Sequence, residues 1–397
     1  MKGDYWKASH HSYQNFKTKI KMNGKISREI SETLGVKQGH INSSDHYKVY
    51  IGPCLESLED SQLGVWIGPI NSGVSGCADD VFLGSDDPVK LQALIDIAAH
   101  YGSLYRIQYG ASKTKITVSG PEIDKDYYRS TKPWKMNGDS IDVVENNEHL
   151  GQIVSGCRQE EKNIELRIRK SQNSLFALIG PAFSFSCLLS PVLKLHLYRT
   201  FVCPVLRSGL SSLVVKNTLL NPLGIFQRKT LKGVLKVSKN ASTVGLHFLT
   251  GELPIEAKIH KDVFSVFYSV WKNPDLKIYE IIKYLLTNST ENSKTWAIFV
   301  RRISKQYGLE DPLNCLRRDP PPKSEFKCTV DTRIKSFHEH ELREKSTMKY
   351  FNVSMHGLSG RYHPALSGIF TTMEVKKSRF HLKMLIGDLF TYQMKSE

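Results

Sequence analysis

The sequence contains no Cys-x-x-Cys pair, although seven cysteines are spread along its 397 residues. Cysteine-ligated zinc modules bring their cysteines in close pairs, and disulfide frameworks use an even number, so this pattern argues against both. Scattered cysteines of odd number are typical of a protein in a reducing, intracellular compartment. The polar start, residues 1–6, does not resemble a secretory signal. Repeats and low-complexity tracts are also missing. At this length the chain can form two or three globular domains.

Long apolar runs are scarce, and one stretch is uncharged over twenty residues, from Ser174 to Leu193. Its length would suffice to cross a bilayer. Gly180-Pro181 interrupts it, however, and Lys194, His196 and Arg199 follow directly, so we expect buried helices broken at the proline and no membrane span. A transmembrane segment stays open as the alternative.

Positive charge is unevenly placed along the chain. Residues 1–150 carry 17 Lys/Arg and 19 Asp/Glu, a net charge of −2, whereas residues 151–397 carry 38 and 20, a net charge of +18. A strongly basic half predicts RNA or DNA as its partner, since phosphates attract lysine and arginine. An ordinary solvated basic surface is the alternative interpretation.

Two adjacent acids, Asp79 and Asp80, lie inside the apolar run from Gly73 to Leu83. A strand has no packing use for two carboxylates at its centre, so we expect a tight hairpin that presents both at one end. Such a pair suits Mg²⁺, which takes few hard oxygen ligands and shares them with substrate phosphates. A polar Asp-Asp turn without a metal is the competing interpretation.

The coarse pattern predicts an α+β chain. A hairpin is expected over 13–32 with Asn23-Gly24 as its turn, then a helix over 43–58 with Ser43 or Ser44 as cap. Asp87-Pro88 predicts the start of another helix, and 116–118 a strand that closes the unit. From about residue 160 the apolar spacing is helical. We expect connectors at 287–293 and 320–322, and a solvated helix without metal ligands at 337–341.

Three short motifs follow one another in order: Gly35-Val-Lys-Gln-Gly39, Ala78-Asp-Asp80 and Ser112-Lys-Thr-Lys115. As a set they resemble the reverse transcriptase of LINE-like (non-LTR) retrotransposons. The likeness covers roughly residues 15–120 and continues more weakly to the end of the chain. It implies a partial palm over 1–120, a thumb and helical post-polymerase region over 121–286, and a basic helical C-terminal region over 287–397.

The resemblance also implies roles for single residues. Asp79 and Asp80 would be the catalytic Mg²⁺ ligands. Gln38, Gly39 and Lys113 would approach the incoming nucleotide. Cys77 and the turn residues Leu150-Gly151 would support the primer strand. It also implies a location in the nucleus or cytoplasm.

The family's metal site also needs a carboxylate from an earlier strand, in a segment followed by Ala-Phe-Asp, and no segment before Gly35 has that character. The sequence likewise ends before the zinc knuckle that follows segments similar to 357–393 in related elements. We therefore expect a truncated RNA-directed DNA polymerase that is inactive alone. The rival hypothesis is a non-catalytic protein that binds RNA or DNA without sequence preference. An unrelated helical scaffold with a chance Ala-Asp-Asp is a third.

Overall fold

The computed structural model describes residues 3–14, 17–32, 35–36, 39–120, 134–178 and 190–345, with the single positions 358, 360, 361, 363–366 and 383. It is a mixture of helix and strand, in agreement with the predicted α+β class. The chain separates into two compact units, one formed by Met1–Ala111 and Trp134–Ser140 and the other by Ser112–Pro133 and Ile141–Glu397.

All strands in the described part of the chain are short and pair two by two. They are β1 (Lys17–Thr18), β2 (Lys21–Met22), β3 (Lys25–Ile26), β4 (Ile30–Ser31), β5 (Trp66–Ile67), β6 (Ile70–Asn71), β7 (Val74–Cys77), β8 (Asp80–Leu83), β9 (Lys115–Ile116), β10 (Lys135–Met136), β11 (Asp139–Ser140), β12 (Asp142–Val143), β13 (Asn146–His149) and β14 (Gln152–Ser155). The antiparallel pairs are β1–β4, β2–β3, β5–β6, β7–β8, β10–β11 and β13–β14; β9 and β12 pair in parallel.

Helices occur in both units, and most of them lie in the second. They are α1 (Asp4–Tyr13), α2 (Ser43–Asp60), α3 (Pro88–Tyr105), α4 (Gln159–Leu178), α5 (Pro191–Leu197), α6 (Cys203–Arg207), α7 (Asn217–Leu235), α8 (Thr243–Thr250), α9 (Ile255–Trp271), α10 (Lys277–Asn288), α11 (Trp296–Gln306), α12 (Pro312–Cys315) and α13 (Lys323–Glu344). A π-helical turn, Tyr198–Val202, joins α5 to α6.

The N-terminal hairpin is confirmed, with Asn23 and Gly24 as its turn. Both residues have positive φ, 48° and 77°, as a type I′ turn requires. The ladder is interrupted between β1–β4 and β2–β3, where the Ser27 hydroxyl accepts a hydrogen bond from the Ile20 amide at 2.9 Å. Helix α1 precedes this hairpin and includes Tyr13, which was expected to begin it.

Helices α2 and α3 build the core of the first unit. The Asp87 carboxylate accepts hydrogen bonds from the amides of Val89 and Lys90, so the predicted cap of α3 is confirmed. The expected serine cap of α2 is wrong. Asn42 occupies the cap position and makes no side-chain cap bond, because its backbone is already helical. The buried residues between α2, β7 and α3 are Ile51, Cys54, Leu58, Val74, Leu94, Ala98 and Tyr101.

In the second unit a large apolar core surrounds α9, whose buried residues include Phe264, Phe267 and Trp271. The connector expected at 320–322 is confirmed, and the one expected at 287–293 begins two residues later, at Ser289, because residues 287 and 288 still belong to α10. The strand expected over 116–118 forms over Lys115–Ile116 as β9, but the expectation that it closes the first unit is wrong, because it belongs to the second unit and pairs there with β12. Among the described helices none is both long and apolar enough to cross a bilayer. Residues 179–189, which hold the expected break at Gly180-Pro181, lie outside the described residues.

The segment 337–341 is helical, within α13, but the expectation that it is solvated is wrong for one residue. His338 keeps only 1% of its surface exposed. It turns towards the core because Tyr307, from the segment after α11, hydrogen-bonds its Nε2 at 3.1 Å. Phe337 packs edge-on against the same tyrosine ring. The helical spacing alone did not reveal this partner, which lies 31 residues away in the sequence.

Candidate acidic hairpin and basic helices

The acid pair lies at the end of the β7–β8 hairpin, as predicted. Cys77 pairs with Asp80 across the ladder, so Ala78 and Asp79 form a two-residue turn. Ala78 has φ of 53°, a conformation that favours glycine or asparagine. The side chains of Cys77, Asp79 and Asp80 are all exposed to solvent. The sequence therefore determined both the hairpin and the exposure of the two carboxylates.

The base of this hairpin is fixed by close backbone contacts that only glycine permits. Gly84 donates to the Gly73 carbonyl at 2.7 Å, and Val65 donates to the Gly84 carbonyl at 3.0 Å. A Cβ on Gly73 would meet the Gly84 oxygen at 2.3 Å and the Gly64 Cα at 2.4 Å. Because backbone atoms surround it, no side chain can be accommodated there without moving a strand. The glycines thus hold the acidic turn in one position relative to β5.

Tyr47, on α2, lies close enough to the turn for its hydroxyl to interact electrostatically with the Asp79 carboxylate. Burial raises the pKa of the Tyr47 hydroxyl, and the Asp79 carboxylate raises it further. Tyr47 stays protonated at neutral pH and can donate a hydrogen bond. Its place in the apolar spacing of α2 was visible in the sequence, but its proximity to the acids was not.

The two carboxylates fit a single magnesium ion only in part. Mg²⁺ commonly binds one or two protein carboxylates and completes its shell with water and phosphate oxygens, which Asp79 and Asp80 could satisfy. A two-metal site needs further carboxylate ligands. Within the described residues no group of three or more His, Cys, Asp or Glu side chains is placed to hold a metal. If Mg²⁺ binds here, it would order phosphate oxygens beside the turn.

Of the expected nucleotide-side residues, Gln38 lies outside the described residues. Gly39 is exposed, with φ of 81°, a left-handed conformation that explains the glycine without reference to a ligand. Lys113 is exposed in the turn before β9 and belongs to the second unit, whereas Asp79 and Asp80 belong to the first. These observations leave the nucleotide-side roles as predictions.

Leu150 and Gly151 form the turn of the β13–β14 hairpin, with φ of 50° and 75°. Helix α4 holds this hairpin through Asn163, whose side-chain amide donates to the Ile153 carbonyl at 2.7 Å and whose carbonyl accepts from the Ile153 amide at 2.9 Å. Arg167 donates to the Gly151 carbonyl. The predicted turn is therefore present and firmly attached, while its role beside a primer stays a prediction.

The second unit contains a long stretch without negative side chains. Between Glu165 and Glu252 the sequence has neither aspartate nor glutamate. The same stretch carries Arg167, Arg169, Lys170, Lys194, Arg199, Arg207, Lys216, Arg228, Lys229, Lys232, Lys236 and Lys239. Acids from other segments neutralise part of this charge, since Lys170 pairs with Glu148, Arg199 with Glu252 and Arg207 with Asp262. Exposed cations of the stretch include Arg169, Lys216, Lys229 and Lys239.

Four of these cations follow one another at the end of α7: Arg228, Lys229, Lys232 and Lys236, which we call the α7 basic stripe. The spacing of 228, 232 and 236 places three of them on one helix face. Cations at a helix C-terminus also stabilise the helix dipole, which is the purely structural explanation. The opposite face of α7 is buried through Leu223, Leu231, Val234 and Leu235. The helix therefore presents a basic face above an apolar one.

Comparison with models of known protein families gives no match, and comparison with curated protein sequences gives none either.

Proposed function

We propose that this chain is a reverse-transcriptase-like protein that does not polymerise by itself and that binds RNA or DNA through its basic half, residues 151–397. The observation that carries the binding proposal is the acid-free stretch between Glu165 and Glu252, together with the net charge of +18 beyond residue 150. Contacts of lysine and arginine with phosphates give affinity without reading bases. The reverse-transcriptase-like part rests on the three ordered motifs and on the exposed acid pair at a hairpin turn.

The catalytic part of the proposal is tested with a primer-template, deoxynucleotides and Mg²⁺. We expect no extension above background from the purified chain, because a two-metal mechanism needs more carboxylate ligands than Asp79 and Asp80 supply. Mg²⁺-dependent extension that disappears in Asp79→Ala would show that the chain polymerises and would contradict this expectation.

The binding part is tested on the full chain with a fluorescein-labelled single-stranded oligonucleotide, read by anisotropy over a range of salt concentrations. The test variant replaces three cations of the acid-free stretch by glutamine: Arg228 and Lys229 of the α7 basic stripe, and Lys239 beyond the end of α7. The control variant makes the same replacement at Lys21, Lys25 and Lys135, exposed lysines of the first unit, and removes the same charge. Removal of three phosphate contacts to a single strand would reduce the slope of log K against log salt by up to about 2.

We expect the test variant to lose affinity and salt dependence while the control stays close to the parent chain. Equal losses would mean that only net charge matters. No binding by the parent chain at low salt would exclude the proposed function.

A further inference from the structure

A cavity of about 350 Å³ lies in the second unit. It is lined by α9, by the start of α13 and by the connector 316–322. Its volume is at the lower end of the roughly 300–1,000 Å³ that small-molecule sites enclose. The residues expected at the metal, nucleotide and primer positions do not line it. The cavity is therefore a separate feature of the molecule, and the proposed nucleic-acid binding gives it no part.

The inner wall of the cavity is aromatic. Phe264, Phe267 and Trp271, all on α9, line it and keep 2%, 2% and 3% of their surface exposed. Phe326 of α13 also lines it and lies edge-on to Trp271, with ring centroids 5.9 Å apart. Aromatic rings bury a large apolar area when a flat or aliphatic group packs against them. This wall therefore suits the apolar or aromatic body of a ligand.

Two aromatic side chains of α9 hold the connector 316–322 in place beside the cavity. The Trp271 indole nitrogen donates to the Arg318 carbonyl at 2.8 Å. The Tyr268 hydroxyl donates to the Pro321 carbonyl at 2.7 Å. Because the connector is fixed at two points, the cavity is already formed and a ligand does not have to order this segment when it binds. Such preorganisation favours affinity.

Three of the exposed residues that line the cavity are acidic: Glu310, Asp319 and Glu325. Glu310 is paired with Arg318, whose guanidinium lies 6.0 Å from the centre of the Trp271 ring. Neither Asp319 nor Glu325 is paired with a cation of the described residues. Two carboxylates thus stay available beside the aromatic wall, in a half of the chain whose net charge is +18.

A purely structural explanation accounts for only one of these two acids. Glu325 lies in the first turn of α13, where a carboxylate stabilises the helix dipole. Asp319 lies in the connector, outside any helix, so the dipole argument does not apply to it. The neighbouring cations Arg317 and Lys323 do not line the cavity. An ammonium group at the mouth of the cavity would use both carboxylates.

We propose that this cavity binds a small organic amine. Its apolar or aromatic body packs against Phe267, Trp271 and Phe326, and its ammonium group meets Asp319 and Glu325. A protonated amine brings one positive charge and several donors, which two carboxylates can accept in charge-assisted hydrogen bonds. The aromatic rings attract the cation further. A phosphate would meet two unpaired carboxylates, so this site is distinct from the proposed nucleic-acid binding and does not depend on it.

The ligand side of the test varies the charge on one aromatic body. The full chain is titrated by isothermal calorimetry with phenethylamine, with phenethyl alcohol as its neutral counterpart and with hydrocinnamate as its anionic counterpart. We expect the amine to bind about tenfold more tightly than the alcohol, the effect of a charge-assisted hydrogen bond, and the carboxylate to bind most weakly. No measurable binding of the amine, or equal binding of the alcohol, would overturn the proposal.

The protein side first removes the two carboxylates. The double variant Asp319→Asn with Glu325→Gln keeps the size of both side chains and should bind the amine about tenfold more weakly, no better than the alcohol. The control, Asp275→Asn with Glu291→Gln, removes two exposed acids of the same unit that do not line the cavity and should leave the affinity unchanged. Equal losses in both double variants would mean that the amine responds only to net charge, which would overturn the site.

A second variant, Phe326→Leu, tests the aromatic wall. The ring is half-buried, and leucine keeps an apolar side chain there, so we expect the helices to stay intact in a melting curve. The affinity for the amine and for the alcohol should fall together, about threefold, because both ligands use the same aromatic contact. Phe176→Leu, which changes an exposed ring on α4, is the control and should affect neither. Unchanged affinity for both ligands in Phe326→Leu would place the amine elsewhere and overturn the proposal.

Discussion

Replacement of Glu252 by glutamine should be among the most destabilising single changes in the second unit. The Glu252 carboxylate follows α8, keeps 3% of its surface exposed and accepts from both Arg199 and Lys258. Arg199 also donates to the Thr250 carbonyl at 2.8 Å. The acid therefore joins the π-helical turn, the end of α8 and α9 at one point.

The expected loss for Glu252→Gln is about 3 kcal/mol in the free energy of unfolding, the lower end for a broken buried ion pair. The lower end applies because the side chains of Arg199 and Lys258 remain 24% and 16% exposed, so water can partly solvate their charges when the carboxylate is removed. Glutamine keeps the size and one acceptor. Glu310→Gln is the matched control, since its pair with Arg318 is exposed and should contribute less than about 1 kcal/mol.

Urea unfolding followed by circular dichroism at 222 nm measures this loss, because most helices lie in the second unit. A loss for Glu252→Gln no larger than that for Glu310→Gln would refute the reasoning.

The pH dependence gives a second check. Burial acts to raise the pKa of Glu252, but Lys258 and Arg199 outweigh it and hold the pKa below the ordinary 4.5. A carboxyl with a lowered folded-state pKa stabilises the fold above its ordinary pKa and loses that contribution as the pH falls through the folded value. The difference between the parent chain and Glu252→Gln should therefore be complete at pH 7 and shrink below pH 4.5. A difference that is constant over this range would contradict the charge mechanism.

Three further measurements test other parts of the structure. Gly73→Ala should destabilise the first unit by about 1–3 kcal/mol, because the added methyl group would overlap backbone atoms. Gly52→Ala, on α2 with open space around it, should stabilise the unit by about 0.5–1 kcal/mol. Equal urea midpoints for the two variants would exclude the crowding at Gly73. A thiol reagent should label exposed Cys77 in the native chain but spare buried Cys315, whose pKa burial raises to about 11; rapid native labelling of Cys315 would show that its packing is wrong. The free energy of unfolding should fall as the pH is lowered from 6.5 to 4, by at most about 4 kcal/mol per pH unit. The reason is that three buried histidines have pKa values lowered by burial to about 4, so in this range they take up protons only on unfolding. A flat profile would mean that these histidines are solvated. These are His247, His260 and His338.

Turns and caps could be predicted from the sequence because their energetics involve neighbouring residues. Asn23-Gly24 provides the positive φ of a two-residue turn, and Asp87 caps the helix that begins one residue later. The Leu150-Gly151 turn was expected only from the family resemblance. The hairpin of Asp79 and Asp80 was expected for another reason, two acids at the centre of an apolar run, since Ala78 adopts a φ of 53° that alanine disfavours. The expected serine cap of α2 is wrong because Asn42 occupies the cap position. The backbone of Asn42 is already helical, at φ −97° and ψ −1°, and its side chain makes no cap hydrogen bond.

The sequence also determined the charge of each half, since charge is a sum over residues and needs no geometry. Only the tertiary structure decided which charged and polar groups are buried. His260 and Tyr307 are 47 residues apart, and Tyr307 and His338 are 31 apart, yet the three form one hydrogen-bonded chain. Helical spacing in the sequence predicts which face of a helix carries a histidine, but it does not predict which residues pack against that face. The partner comes from another segment of the chain, and burial lowers the pKa of a histidine only after the helices have packed.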